Sequence, residues 1–255
     1  MLKGASAIWL SKVVFALPLS LADRAESFRL QGHPDLALTR FRLTPELQDL
    51  DWRTKLEPYV GLRLSCEDGG FCSRERLEAL LKGSLVLQGL QGSEVAWSTG
   101  VQVGPVLDDL YAGAARQKLG VVWQEGTPTL KVWAPTASRV SLLLFNQGDD
   151  PMELPATRDK HGVWSVAGAP DWDGAEYLWE ISVFAPCQGE FVTNRVTDPY
   201  SVGLTVDSTR SVVLDLQSPQ WKPEGWGSAV PPALLNQAAQ SIYELHVRDF
   251  SAWDK

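Results

Sequence analysis

The 255-residue chain has little of what metal, redox and nucleic-acid proteins depend on. Its three histidines, His33, His161 and His246, are scattered and join no cysteine cluster, so no metal site and no cofactor are expected. Three cysteines are too few for a disulfide framework. Cys66 and Cys72 are close enough in sequence to pair, but free thiols are the expectation. The net charge is −8 with no basic cluster, which argues against nucleic acid and anionic membrane surfaces as partners. No apolar run is long enough to span a bilayer. Internal repeats and low-complexity tracts are absent as well.

What the chain does have is 44% hydrophobic residues, enough for a globular core, and 11 tryptophans, many for this length. An indole offers a flat apolar face and one donor, which suits either packing or stacking on a sugar ring.

Residues 1–104 read as a β-rich unit, with strand-like pieces at Ala7–Leu10, Phe28–Leu30, Tyr59–Leu64, Ser84–Leu90 and Thr99–Val103. A helix is predicted over Ser73–Lys82, with Ser73 as N-cap, an apolar stripe of Leu77, Leu80 and Leu81, and Gly83 as the stop. Pro105 opens a connector helix over 105–112. Residues 113–216 carry seven short strands separated by turn-rich segments, the pattern of a β-sandwich. Prolines and glycines make 217–240 a linker. Ile242–Val247 then alternates apolar and polar residues like a strand. A lone strand can neither satisfy its backbone groups nor bury its faces. The segment 241–255 is therefore expected either to return to an earlier sheet or to open a further domain.

Four motifs in order carry a family resemblance. They are Lys131-Val132-Trp133-Ala134-Pro135-Thr136-Ala137, then Gly162-Val163-Trp164-Ser165-Val166 with Tyr177-Leu178-Trp179-Glu180-Ile181, then Thr197-Asp198-Pro199-Tyr200-Ser201, and last Ile242-Tyr243-Glu244-Leu245-His246-Val247-Arg248-Asp249-Phe250-Ser251. The first two resemble the β-sandwich of carbohydrate-binding family forty-eight. The third resembles the exit toward the barrel in starch-debranching enzymes. The fourth resembles the first barrel strand of the pullulanase and limit-dextrinase branch of glycoside hydrolase family thirteen.

The resemblance implies a mainly β chain: two β-sandwich-like domains, a linker, and the first strand of a truncated (β/α)8 barrel. It implies the N-terminal portion of an enzyme that hydrolyses α-1,6-glucosidic branch points, closest to the plant-type limit dextrinases. The α-glucan substrate would be engaged through the missing barrel. Retaining chemistry of that kind needs two carboxyl groups about 5–5.5 Å apart. In the family these stand on later barrel strands, so no catalytic residue is assigned in this chain, and the chain alone is expected to be inactive. Asp108-Asp109, Asp149-Asp150 and Asp171/Asp173 read as solvated turn or connector residues.

For glycan contact, the family's loop Trp has no counterpart at Asn146–Asp149, and Leu178 stands where a Lys would follow Tyr177. Trp172, between Asp171 and Asp173, is left as the substrate platform. Asp198, Pro199, Tyr200 and Trp226 are assigned to a domain seam, and support of the barrel is the expected main role. A glucan-binding module without catalysis is the alternative. Trp133, Trp164 and Trp179 are expected in the core. The stretch Leu2–Ala22, with Lys3 and Lys12 before the apolar run Val13–Leu19 and Ser20-Leu21-Ala22 after it, reads either as a secretory signal peptide or, over Ala7–Leu19, as a likeness to the opening strand pair of pullulanase N-terminal domains. The compartment stays open: plastid stroma for a plant or algal source, cytoplasm for a bacterial one.

Overall fold

The computed structural model describes residues 4–43, 58–66, 69–145, 148 and 150–252. The described residues up to Leu214 form one compact unit and those from Asp215 onward a second.

The first seven strands are β1 (Ala7–Ser11), β2 (Val14–Pro18), β3 (Ser27–Leu30), β4 (Leu36–Phe41), β5 (Tyr59–Cys66), β6 (Val86–Gln91) and β7 (Glu94–Gln102). A short helix α1 (Leu19–Ala22) follows β2, and α2 (Arg74–Leu81) lies between β5 and β6. The mainly β reading holds, but the form of this unit differs from a sandwich: its strands close into one barrel, in the order β1-β2-β5-β4-β3-β6-β7. Closure comes from parallel pairing of β1 with β7, Ala7 opposite Val101 and Ile8 opposite Gln102. A closed sheet leaves no edge strand. The barrel is filled by Trp9 stacked on Phe15 (centroids 4.8 Å apart), with Leu17, Leu30, Leu62, Leu64 and Leu87. The run read as a possible leader contributes β1 and β2 to this core.

Helix α2 forms as its sequence predicts. The Ser73 hydroxyl accepts the Arg76 N–H at 3.2 Å, and Leu77, Leu80 and Leu81 face the core. Just before the cap, Cys72 is bonded to Cys66 in a disulfide, which corrects the expectation of free thiols. The turn that closes the intervening loop brings them together. Gly69 N–H donates to Cys66 O at 2.8 Å, and Cys66 N–H donates to Gly70 O at 3.1 Å. The connector is α3 (Gly104–Leu110), with Pro in its first turn, followed by a 3-10 stretch over Ala112–Arg116.

Nine further strands build a sandwich: β8 (Gly120–Gln124), β9 (Thr127–Trp133), β10 (Arg139–Phe145), β11 (Met152–Pro155), β12 (Thr157–Arg158), β13 (Val163–Ala167), β14 (Glu176–Ala185), β15 (Glu190–Val196) and β16 (Ser211–Val212). One sheet runs β11-β10-β14-β15, with β16 also on β14, and the facing sheet runs β12-β13-β9-β8. Alternation explains the core. Leu130 and Val132 of β9, Val140, Leu142 and Leu144 of β10, and Tyr177 and Trp179 of β14 share the interior.

Trp164 and Trp179 are buried as expected, and both satisfy their indole N–H groups, Trp164 on Ala134 O (2.9 Å) and Trp179 on Asp198 (3.1 Å). Trp133 is a correction. It lies one step past Val132 on β9, so its ring points out of the sandwich and packs, half-buried, against the barrel's core cluster.

The second unit is irregular, with short 3-10 turns and one helix, α4 (Val247–Ser251). The expected strand Ile242–Val247 is not formed: residues 242–246 are irregular and 247 begins the helix. Alternation without a partner strand leaves the backbone groups nothing to pair with, so it does not make a strand.

Candidate functional site

Three surfaces of the unit ending at Leu214 bear on function: a locked junction, a pocket beside it, and an outer sheet face. The junction joins α2 to the sandwich. Arg158 of β12 donates to Glu78 (3.0 Å) and to the Tyr111 hydroxyl (2.8 Å). Arg74 donates to Glu78 (2.8 Å), to Leu110 O and to Lys160 O. The Arg158 and Glu78 side chains are only 15% and 17% exposed. Both guanidinium groups lie near the Tyr111 ring face, at 5.2 and 5.6 Å. Burial pushes the Tyr111 hydroxyl above its ordinary pKa, so it stays protonated and accepts from Arg158.

Asp198, assigned to a seam, is buried at 4% exposure, inside the sandwich. One carboxylate oxygen accepts the Tyr177 hydroxyl (2.9 Å) and the Trp179 indole (3.1 Å), and the other accepts the Tyr200 N–H (2.8 Å). Its own N–H donates to the Ser211 hydroxyl at 2.8 Å. Burial pushes the Asp198 carboxyl up, against the three donors that pull it down. Burial and the neighbouring Asp198 push the Tyr177 hydroxyl up strongly. Pro199 is exposed beside it.

The Tyr200 N–H bond to Asp198 sets the position of that residue, and Gly120 sets its surroundings. Gly120 has φ +77°, and a Cβ there would lie 2.9 Å from Tyr200 O, so only glycine lets the two backbones approach this closely. The Tyr200 side chain then joins Trp133, Tyr111, Leu119, Ala114 and Asp108 around a pocket of about 470 Å³, between the connector and the sandwich. Trp226 belongs to the second unit and is 66% exposed.

Trp172, assigned as a sugar platform, is buried at 7% exposure. The 3-10 turn Pro170–Trp172 swings the indole inward beside Gly168 and into the sandwich core, which takes it away from solvent and so from a ligand. The outer face of β10, β14 and β15 offers what the sequence reading missed. Phe184 lies opposite Phe191 across the hairpin, the rings edge-to-face with centroids 5.5 Å apart, and Phe191 is 59% exposed. Leu178 and Glu180 share this face by period-two alternation. The signal was the pair of phenylalanines flanking the turn 185–190, visible once the hairpin register is known. Of the Asn146–Asp149 loop only Gly148 lies among the described residues.

Among the described residues no group of three or more His, Cys, Asp or Glu side chains is placed to hold a metal ion.

A β-sandwich locked to a β-barrel by a shielded ion-pair network defines a mainly β, two-part module. Residues 118–201 match the family Carbohydrate-binding module 48 (Isoamylase N-terminal domain). The chain is similar to Pullulanase 1, chloroplastic, of Arabidopsis thaliana, with 38% identity over 161 residues, covering 62% of this chain and 16% of the relative. It is similar to the pullulanase of Klebsiella pneumoniae, with 35% identity over 187 residues, covering 70% of this chain and 17% of the relative. A solved structure of Klebsiella pneumoniae pullulanase complexed with maltotriose superposes with a TM-score of 0.84 at 28% identity, covering 99% of this chain and 25% of that one. The chain is thus pullulanase-like and corresponds to an N-terminal region of that family. It spans only 16% and 17% of the length of the two relatives.

Proposed function

We propose that this chain is a non-catalytic, α-glucan-contacting region of a debranching hydrolase that cleaves α-1,6-glucosidic bonds in starch-like polymers. The observation that carries the reading is the outer sheet face where half-buried Phe184 packs edge-to-face on exposed Phe191, within the stretch that matches the carbohydrate-binding family. An exposed aromatic ring costs hydration unless something apolar and flat covers it, and the C–H face of a glucose ring does so. Three of the described carboxylates are already engaged structurally, which favours the non-catalytic reading: Asp198 is buried under three donors, and Glu78 and Glu180 are each paired with arginine. Calorimetric titration of the chain with maltoheptaose tests the reading. Binding that weakens about tenfold or more in Phe191→Ala supports it, and binding unchanged by that substitution removes the outer face from the account.

A second role, support of a catalytic barrel, is favoured by the segment after Leu214. Its apolar side chains Val230, Leu235, Ile242 and Tyr243 stand largely exposed, as do Trp226 and Val247. Such a surface fits a protein partner. Trp226→Ala and Ile242→Ser should then weaken association with a separately prepared pullulanase barrel. No association of the unmodified chain with such a barrel would sink this second role.

A further inference from the structure

We propose that the pocket between the connector and the sandwich is a second α-glucan site, distinct from the outer sheet face, taking one or two glucosyl units. The proposal rests on the reading of the chain as glucan-contacting. The volume, about 470 Å³, lies in the range of small-ligand sites, and the pocket sits where the connector helix meets the sandwich.

The lining selects the ligand class. The Trp133 indole N–H is already given to His161 O at 3.1 Å, so the ring offers its face rather than its edge. The Tyr111 hydroxyl is taken by Arg158, which leaves Tyr111 as an apolar wall. Ala114 and Leu119 add small and aliphatic surface. Asp108 is the one charged side chain of the lining, an acceptor at the exposed rim. An anionic ligand would meet Asp108 as a like charge, and a purely hydrocarbon ligand would desolvate its carboxylate without a donor. A neutral molecule with a flat C–H face and several hydroxyl donors satisfies both halves of the lining, and a glucosyl unit is such a molecule.

The pocket is also preformed. The Tyr200 backbone is fixed through its N–H on the buried Asp198 and through its close approach to Gly120, so the point from which its ring enters the lining is set before binding. The outer-face residues Phe184 and Phe191 are not part of the lining, so the two sites are separable by mutation.

The test is a titration of the 255-residue chain with maltotriose, followed by NMR of the indole N–H resonances, with that of Trp133 assigned through Trp133→Phe, and of the backbone amides of Phe184 and Phe191 as the report on the outer face. The Trp133 resonance should shift saturably, and should still do so in Phe191→Ala. Asp108→Asn, an exposed and conservative change, should weaken that shift about tenfold, the size of one hydrogen bond to a charged group. Tyr200→Ala should abolish it. A Trp133 resonance that stays still while the outer face responds overturns the pocket and leaves the glucan-contacting reading standing. No response at either site removes both. A Trp133 resonance that moves with a pullulanase barrel and not with maltotriose makes the pocket a protein socket and overturns the proposal.

Discussion

Arg158 of the sandwich and Glu78 of the barrel's helix form an ion pair at 3.0 Å that is largely shielded from water. Glu78 also accepts from Arg74, and Arg158 also donates to Tyr111. Removing one partner leaves a poorly solvated charge behind, whereas removing both does not. Glu78→Gln should therefore lower unfolding stability by about 3 kcal/mol, read from denaturant midpoints. The double variant Glu78→Leu with Arg158→Met should return close to the starting stability. A double variant as weak as the single one would mean that the pair itself, and not the stranded charge, holds the junction.

Asp198 should give the chain a pH signature. Burial holds its carboxyl above the usual carboxylate range, so the folded state binds the proton more tightly than the unfolded state. The contribution of this group to stability is then fully present below the unfolded value and is lost as pH rises through the raised folded value. Asp198→Asn removes that titration, and it also puts an amide N–H₂ among three donors, which lowers stability at every pH. The stability difference between wild type and Asp198→Asn should therefore shrink from about pH 4 upward. Thermal melts at pH 4 and pH 7 check this, and parallel profiles for the two proteins would contradict it.

Trp172 should matter for stability rather than for glucan. Its ring fills the sandwich core beside Gly168. Trp172→Ala should cost about 3–5 kcal/mol of stability. In any variant that stays folded, such as Trp172→Phe, affinity for maltoheptaose should be unchanged. A loss of affinity at intact stability would return Trp172 to the role of a sugar platform.

Much of this fold was legible locally. Period-two alternation marks β9 and the start of β14, short apolar runs mark β10 and β13, and the Ser73 cap with its leucine stripe marks α2. The start of β7 at Glu94 was also signalled, by the two-residue turn Gly92-Ser93, although the strand reading began only at Thr99.

What depends on distant pairing was not legible. Asp198 reads as part of a common Asp-Pro turn until β14 brings Tyr177 and Trp179 over it. Tyr200 and Trp133 are 67 positions apart and meet only because the connector folds against the sandwich. Trp172 was misread because flanking aspartates suggest a solvated loop, while a 3-10 turn is enough to reverse one side chain. Ile242–Val247 carries the alternation of a strand without a neighbour to pair with.

The most direct test of the account is electrophoresis of the purified chain through native gels with and without pullulan or amylopectin, alongside an assay for new reducing ends. The account predicts retarded migration in the glucan gel, less retardation for Phe191→Ala, and no reducing sugar released. Migration that is identical in both gels, or release of reducing sugar that disappears when one of the chain's carboxylates is replaced, would contradict it.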